Sequence, residues 1–534
     1  MNPITALVAL PATSRPRSGR LGLLSLALSS LLAACGGGGG DPGISPFPAP
    51  EDTSSPPVVT PADSSAQVCA AENPYLADAT AATRIGSLAN EKAWLKAYMS
   101  EAYLWVNEIQ NIDPYLPAYS QTSDVYGSMD SYFQALKTPS LTATGKRLDA
   151  FSFTYPTRAW NDLSSSGTVS GYGAEWHMAS PTPPRELRIA YIEPGSPAAA
   201  AGLLRGDVLV SADGAAADSA TSADVDTLNA ALFPSATGQS HSFVFSRQGS
   251  SLTRSLVSAS VVKQPVLTQR VLHTPAGRSV GYMVFNDHIA PAEAPLIAAI
   301  HQFAAAGVDD LVLDLRYNGG GYLFLASELA YMVAGPARTD GQVFEQLRFN
   351  AQRVADNQSA DARTPFLSTS CILDASGLCT QQAALPTLNL SRVTVLTSSG
   401  TCSASEAIIN GLRGVNVEVR LIGDTTCGKP YGFTPKDNCG ISYFPIEFKG
   451  VNAKGFGDYA DGFSPTCTAA DDLDHALGDP AEHQLAVALN NLDGASCSAT
   501  AAGQRQAQGL VPRSGGRLLR GPERENRILL PRRH

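Results

Sequence analysis

The chain has little of what several large functional classes require. Basic residues number 38 against 48 acidic ones, a formal net charge of -10, whereas a grip on nucleic-acid phosphates needs clustered lysine and arginine. The apolar run from Leu21 to Ala34 is shorter than the roughly 20 residues a helix needs to cross a bilayer. No two of the nine cysteines have the close spacing of a zinc knuckle, and neither metal nor cofactor is expected. The stretch Asn318-Gly319-Gly320-Gly321 lacks the Gly-x-Gly-x-x-Gly spacing and the following Gly-Lys-Ser/Thr of nucleotide-binding loops. Around Ser403 the Gly-x-Ser-x-Gly elbow of lipases and esterases is missing, and no internal repeat is visible. These absences argue against a nucleic-acid reader, a zinc module and a nucleotide-dependent enzyme.

What is present begins with an address. Arg15, Arg17 and Arg20 precede the apolar run, so residues 1–35 read as an export signal outside the fold. The run ends in Leu32-Ala33-Ala34-Cys35, which resembles the lipobox of bacterial lipoproteins. That resemblance implies an acylated Cys35 and a membrane partner reached through the lipid. With Gly36 where a retention signal has Asp, it also implies the outer membrane of a bacterial cell envelope. An ordinary secretory signal with a chance cysteine is the alternative. Residues 36–75, opening on five glycines and continuing rich in Pro, Ser and Asp, read as a flexible tether. Setting Cys35 aside leaves eight cysteines in a chain bound for an oxidising compartment, so disulfides are expected. Cys371 and Cys379 are the closest pair in sequence; the connectivity is open.

A chain of 534 residues exceeds one hydrophobic core, and the expected architecture is a multidomain one mixing α/β and β units. Trp94, Leu95, Tyr98, Met99, Tyr103, Leu104 and Val106 recur at near-helical spacing between Glu91 and Ile109, followed by Tyr132, Phe133 and Leu136, which predicts a helical N-terminal region over 76–160. Residues 161–262 carry Gly171-Tyr172-Gly173, a strand over Leu187–Ile192, a Pro-Gly turn, a short Ala-rich helix stopped by Gly202, and another strand up to Val210. The run from Pro194 to Val210 resembles a PDZ domain. The resemblance implies that a peptide adds to it as a strand, with its terminal carboxylate held by the backbone of Gly171, Tyr172 and Gly173. Over 263–495 strands alternate with helices, which predicts an α/β core with a mostly parallel sheet. Residues 496–534, Gly-, Gln- and Arg-rich with eight arginines, read as a disordered basic tail.

Three segments of the α/β core carry chemistry. The first, Asp314 to Gly321, is a buried strand breaking into glycines, whose bare N–H groups suit an oxyanion hole. In the second, Thr401-Cys402-Ser403-Ala404-Ser405-Glu406, Ser403 opens a helix and either caps it with Glu406 or acts as a nucleophile in the positive field of the helix end. The third, Cys427-Gly428-Lys429-Pro430, ends the next strand. Parallel neighbours end side by side, so Ser403 and Lys429 are placed to meet, and a Cys402–Cys427 disulfide would join their loops.

In order and spacing these segments resemble the carboxyl-terminal processing, or tail-specific, serine proteases. The resemblance implies Ser403 as nucleophile, Lys429 as general base, and an oxyanion hole from Gly319 or Gly320 together with Ala404. A base near neutral pH demands a lysine lowered from about 10.4 toward 7 or 8, so Lys429 should be buried against apolar neighbours such as Tyr431 or Phe433, with no carboxylate partner. Where many relatives place a glutamine to orient the lysine, this chain has Phe433; Thr434 or Ser405 is the candidate substitute. A rival base is His288, with Asp287 beside it. The implied activity is a serine endopeptidase acting on flexible or unfolded proteins held by their carboxyl ends. The alternatives are a catalytically silent peptide-binding scaffold and hydrolysis of an ester or cell-wall amide.

Overall fold

The computed structural model describes residues 62–370, 372–373, 379–497 and 517–519. The expected export signal, Cys35 and Cys371 lie outside them. Among the described residues no helix is long and apolar enough to cross a membrane.

The folded chain starts earlier than composition suggests. Residues Ala62–Ser65 form a helical turn and Val68–Ala70 a strand, so the part of the expected tether after residue 61 belongs to the domain. Cys69 and Ala70 are buried, Cys69 is bonded to Cys439, and Gln67 exchanges hydrogen bonds with the backbone of Cys439 and the side chain of Asn438. Tertiary contacts to a segment far along the chain, invisible to local composition, order it.

The helical N-terminal region contains Leu88–Ala102 and Val125–Leu136. The first helix stops short of the expected Ile109 because Tyr103 turns inward, where its hydroxyl donates to Asp149 (2.7 Å). Trp94, Leu95, Met99, Met129 and Phe133 form one buried cluster with Ile441 and Tyr443, and the strand Phe153–Pro156 pairs antiparallel with Ile441–Phe444. This region is therefore built onto the α/β core.

The next unit is a sheet in the order Ser250–Val257, Ser240–Arg247, Val208–Ala212, Arg188–Ile192, Ala174–Met178, with Arg517–Leu519 on its outer edge. Its core joins Trp176, Ile189, Phe243 and Phe245 to Val225, Leu228 and Leu232 of the helix Ser222–Leu232. The strand Arg517–Leu519 corrects the expectation of a wholly disordered tail: Leu518 is buried against the body of the protein, which a composition dominated by Gly, Gln and Arg concealed.

The α/β core is a six-stranded sheet in the order Val266–His273, Ser279–Phe285, Asp310–Asp314, Arg392–Thr397, Glu418–Gly423 and Cys467–Thr468. Only the first strand is antiparallel to its neighbour. Both faces are covered, which is why these strands read as near-continuous apolar runs. Met283, Leu311, Leu313 and Val395 pack under the helices Glu293–Ala306, Leu323–Ala334 and Ala404–Gly414. The alternate residues Tyr282, Val312, Leu396 and Ile422 pack with the helix His483–Leu492 and with Ala190 and Tyr191 of the neighbouring sheet.

Candidate active site

Asp310–Asp314, Arg392–Thr397 and Glu418–Gly423 are consecutive parallel strands, with Asp314 in register with Leu396 and Thr397 with Gly423. Their carboxyl ends therefore deliver the glycine loop, the Ser403 loop and the Lys429 loop to one edge of the sheet, the usual place for chemistry in such folds.

Ser403 has φ 55° and ψ -116°. Ser403 stands at the helix cap with its N–H donating to Glu406, as the capping-box spacing predicts, but where a cap is ordinarily extended these angles match the first central residue of a type II′ turn, where a residue with a Cβ is strained. The sharp strand-turn-helix of a nucleophile elbow is thus present without the elbow's glycines. Gly320, at φ 96°, lies directly against it: a Cβ there would sit 2.8 Å from Ser403 Cβ and 3.0 Å from Ala404 N, so only glycine fits.

Asn318 stitches the glycine loop in place. Its carbonyl accepts from Cys402 N–H (3.1 Å) and Ser405 Oγ (3.1 Å), and its side chain donates to the Phe285 carbonyl (2.9 Å). Asn318 Oδ1 accepts from Gly320 N–H at 2.9 Å. That engagement takes Gly320 out of the candidate oxyanion donors. Gly319 N–H makes no hydrogen bond among the described residues, and Ala404, as the first helical residue, has an N–H without an intrahelical acceptor.

The serine and lysine loops are joined twice. Cys402 and Cys427 form a disulfide. Glu406, fully buried, accepts from Ser403 N–H (3.1 Å), Gly428 N–H (2.9 Å), Lys429 N–H (2.8 Å) and Thr426 Oγ1 (2.6 Å). Burial pushes the Glu406 carboxyl up, and these four bonds push it back toward the charged form that they require. Cys402, Glu406 and Cys427 form the sole metal-like cluster among the described residues, but its sulfurs are already bonded to each other.

Lys429 is 8% exposed, its Nζ lying 4.2 Å from the centre of the Phe433 ring and 5.5 Å from that of Phe151. Burial lowers its pKa to about 8, against the opposing pull of Asp149 and Glu406. Among the described residues Nζ has no carboxylate within ion-pair distance and no hydrogen bond, to Ser403 Oγ or any other acceptor; catalytic hydrogen bonds are often loose before substrate binds. Tyr431 is not part of this cage but meets Trp105 edge-on. Neither suggested substitute for the missing glutamine reaches the amine: Ser405 Oγ is bonded to Asn318, and Thr434 contributes only an N–H to Glu447.

The surroundings of His288 do not suit the rival base. Its Nδ1–H donates to Asn318 Oδ1 (2.9 Å), its ring packs on Phe285, and burial holds its pKa down at about 4. Asp287, the acid such a triad would need, is paired with Lys263 at 3.1 Å. His288 instead supports the glycine loop through backbone bonds to Gly320 and Tyr322.

Beneath the glycine loop, Arg316 binds Asp314, Asp471 and Glu482 while fully buried. Arg205, from the turn before Val208–Ala212, donates to Tyr317 Oη (2.5 Å), Asp471 (2.7 Å) and the Ala190 carbonyl (2.6 Å). The outer sheet is thus wired to the segment that precedes Asn318. In that sheet Tyr172 packs on Phe243, and the carbonyls of Tyr172 and Gly173 accept from Ala198 and Glu193. Gly171, Tyr172 and Gly173 precede the strand Ala174–Met178 and lie apart from the Ser403 loop in the topology.

The roles of Asn318, Glu406 and Phe151 escaped the sequence reading. Glu406 had a visible signal, its spacing from Ser403, but that spacing also fits a helix cap. Phe151 belongs to no motif.

Residues 279–436 match the sequence model of peptidase family S41, and residues 188–228 match that of the PDZ domain. Two curated relatives named carboxyl-terminal-processing protease, from Picosynechococcus sp. strain PCC 7002 and Synechocystis sp. strain PCC 6803, are 27% identical over 273 and 271 residues, 50% of this chain in each case. The chain spans about half the length of these relatives, 56% and 54%. Among solved structures, one described as an S41 protease from Bacteroides fragilis NCTC 9343 aligns with a TM-score of 0.55 over 75% of this chain and 97% of that one; at 24% identity this establishes a common fold.

Proposed function

We propose, from the PDZ and peptidase family S41 segments that this chain carries, that it is a serine endopeptidase using Ser403 and Lys429. The observation that carries the reading is the state of Lys429: a buried amine held near pKa 8 inside two phenyl rings, tied through Glu406 and a disulfide to a strained serine. A merely structural surface lysine has no need of that environment.

In the proposed cycle the neutral amine of Lys429 takes the proton of Ser403 Oγ as oxygen bonds to the scissile carbonyl carbon. The developing oxyanion is held by Gly319 N–H and Ala404 N–H. As the C–N bond breaks, the Lys429 ammonium returns its proton to the leaving amine, which leaves an acyl-enzyme. Water, deprotonated by the same amine, then releases the acid and restores Ser403. The Gly171–Gly173 loop and the strand after it hold an extended, carboxyl-terminal segment of a flexible or unfolded protein, and acylated Cys35 anchors the chain in the cell envelope.

Two observations favour a second reading, a silent peptide-binding scaffold: Phe433 stands where a hydrogen-bonding orienter would be, and among the described residues Nζ has no bond to Ser403. Degradation of casein by the unmodified chain, compared with Ser403→Ala and Lys429→Ala, decides between them. Cleavage lost in both folded variants supports the peptidase; no cleavage of casein or of peptides with apolar ends by the unmodified chain favours the scaffold.

A further inference from the structure

The strand Ala174–Met178 has two edges. One pairs with Arg188–Ile192; the other is taken by Arg517–Leu519 of the same chain, with Arg517 opposite Met178, Leu518 opposite His177 and Leu519 opposite Trp176. This register sets the direction. The added strand is antiparallel and advances, from Arg517 to Leu519, toward the end of the edge strand that begins at the Gly171–Gly173 loop. A peptide caught by β-addition with its carboxyl end toward that loop would run the same way.

The added strand is also anchored. Leu518 is 8% exposed and belongs to the buried cluster that includes Ala190 and Tyr191 of the outer sheet, Tyr317 next to the glycine-loop hub, and Val280 and Leu396 of the core sheet. His177, opposite it, is held below its usual pKa mainly by burial. An edge strand left open is a template for any extended chain, and here one segment of the chain itself fills it. A covalently linked segment competes at an effective concentration on the order of millimolar.

We infer that the segment around Leu518 is an internal ligand of the peptide-binding edge, which an extended substrate segment must displace before it is held. The inference deepens the peptidase reading and rests on it for the consequence in activity, though not for the binding. Displacement costs the burial of one leucine and a short ladder of backbone bonds, small enough for a peptide with its own apolar side chain at that position to match.

The test uses the full chain with Ser403→Ala, which prevents cutting of the probe, alone and combined with Leu518→Asp or Leu518→Pro. The aspartate removes the apolar anchor, and the proline disfavours a paired strand. The probe is a fluorescein-labelled peptide copying residues 513–522. Both variants should bind it about tenfold more tightly than the chain retaining Leu518, because the internal competitor is weakened. In the active chain the same substitutions should raise casein cleavage several-fold at low casein and leave the rate at saturation unchanged. Equal probe affinity in all three folded chains, or no binding to any of them, overturns the inference. Tighter probe binding with no casein cleavage keeps it and removes the peptidase reading. Cleavage abolished by Ser403→Ala but insensitive to Leu518 removes the inference alone.

Discussion

The proposed catalytic edge and the proposed recognition edge are held by different kinds of interaction. At the first, a disulfide, a buried carboxylate with four donors and a glycine without room for a methyl fix three loops. At the second, one leucine and a three-residue ladder hold a strand in place. The contrast fits what each edge is proposed to do. Bond-breaking needs reacting groups held within about half an ångström, whereas peptide recognition needs a partner that can leave.

The largest test of that contrast is removal of the proposed reacting groups. Ser403→Ala and Lys429→Ala should each lower casein cleavage by at least about 1,000-fold while leaving probe binding at the recognition edge unchanged. Weakened probe binding in either would mean that the two edges are not separate.

Glu406→Ala should follow. It strips an acceptor from three backbone N–H groups and a threonine, so a loss of about 3 kcal/mol in stability and about 100-fold in kcat is expected from chemical denaturation and steady-state kinetics. Full activity would show that the disulfide alone positions the lysine.

Acidity should affect the catalytic edge in a fixed direction. In the proposed cycle the active form of Lys429 is the neutral amine, and burial lowers its pKa to about 8, so kcat/KM should rise about tenfold per pH unit up to about 8 and level off above it. A profile flat from pH 6 to 9 would break the assignment of Lys429 as base. Replacing both Cys402 and Cys427 by serine should cost less, about tenfold in kcat, because Glu406 still joins the loops; unchanged activity would remove the disulfide from the positioning machinery.

The smallest effect is expected at Phe433. Phe433→Gln replaces one wall of the cage with a hydrogen-bonding group, and kcat should change by no more than about fivefold. A collapse of activity would show that Phe151 and the remaining burial cannot keep the amine neutral without this ring.

Much of the catalytic edge was legible in the sequence because its parts are local. Asp314 to Gly321, Ser403 to Glu406 and Gly428-Lys429 each sit where an apolar run meets glycine or a helix start, and the alternation of strands and helices in the core was readable as well. Residues whose role is set by distant partners were not legible. Gly320 looked equivalent to Gly319 until Asn318 Oδ1 was seen to take its N–H. His288 looked like a base until its ring was found buried on Phe285 with Asp287 turned to Lys263. Cys69 and Cys439 lie far apart in the chain, and no spacing rule joins them.

By itself the sequence determined the elements, their alternation and the arrival of Ser403 and Lys429 at strand ends, since hydrophobic period, glycine breaks and helix starts act over a few residues. Only the tertiary structure decided the chemical state of those residues and what fills the recognition edge. The pKa of Lys429 depends on a low-dielectric cage that Phe151 completes from the N-terminal region, and the partner of Ala174–Met178 comes from Arg517–Leu519. Desolvation and strand pairing are set by whatever folds close in space, and that proximity is written in no local stretch of the chain.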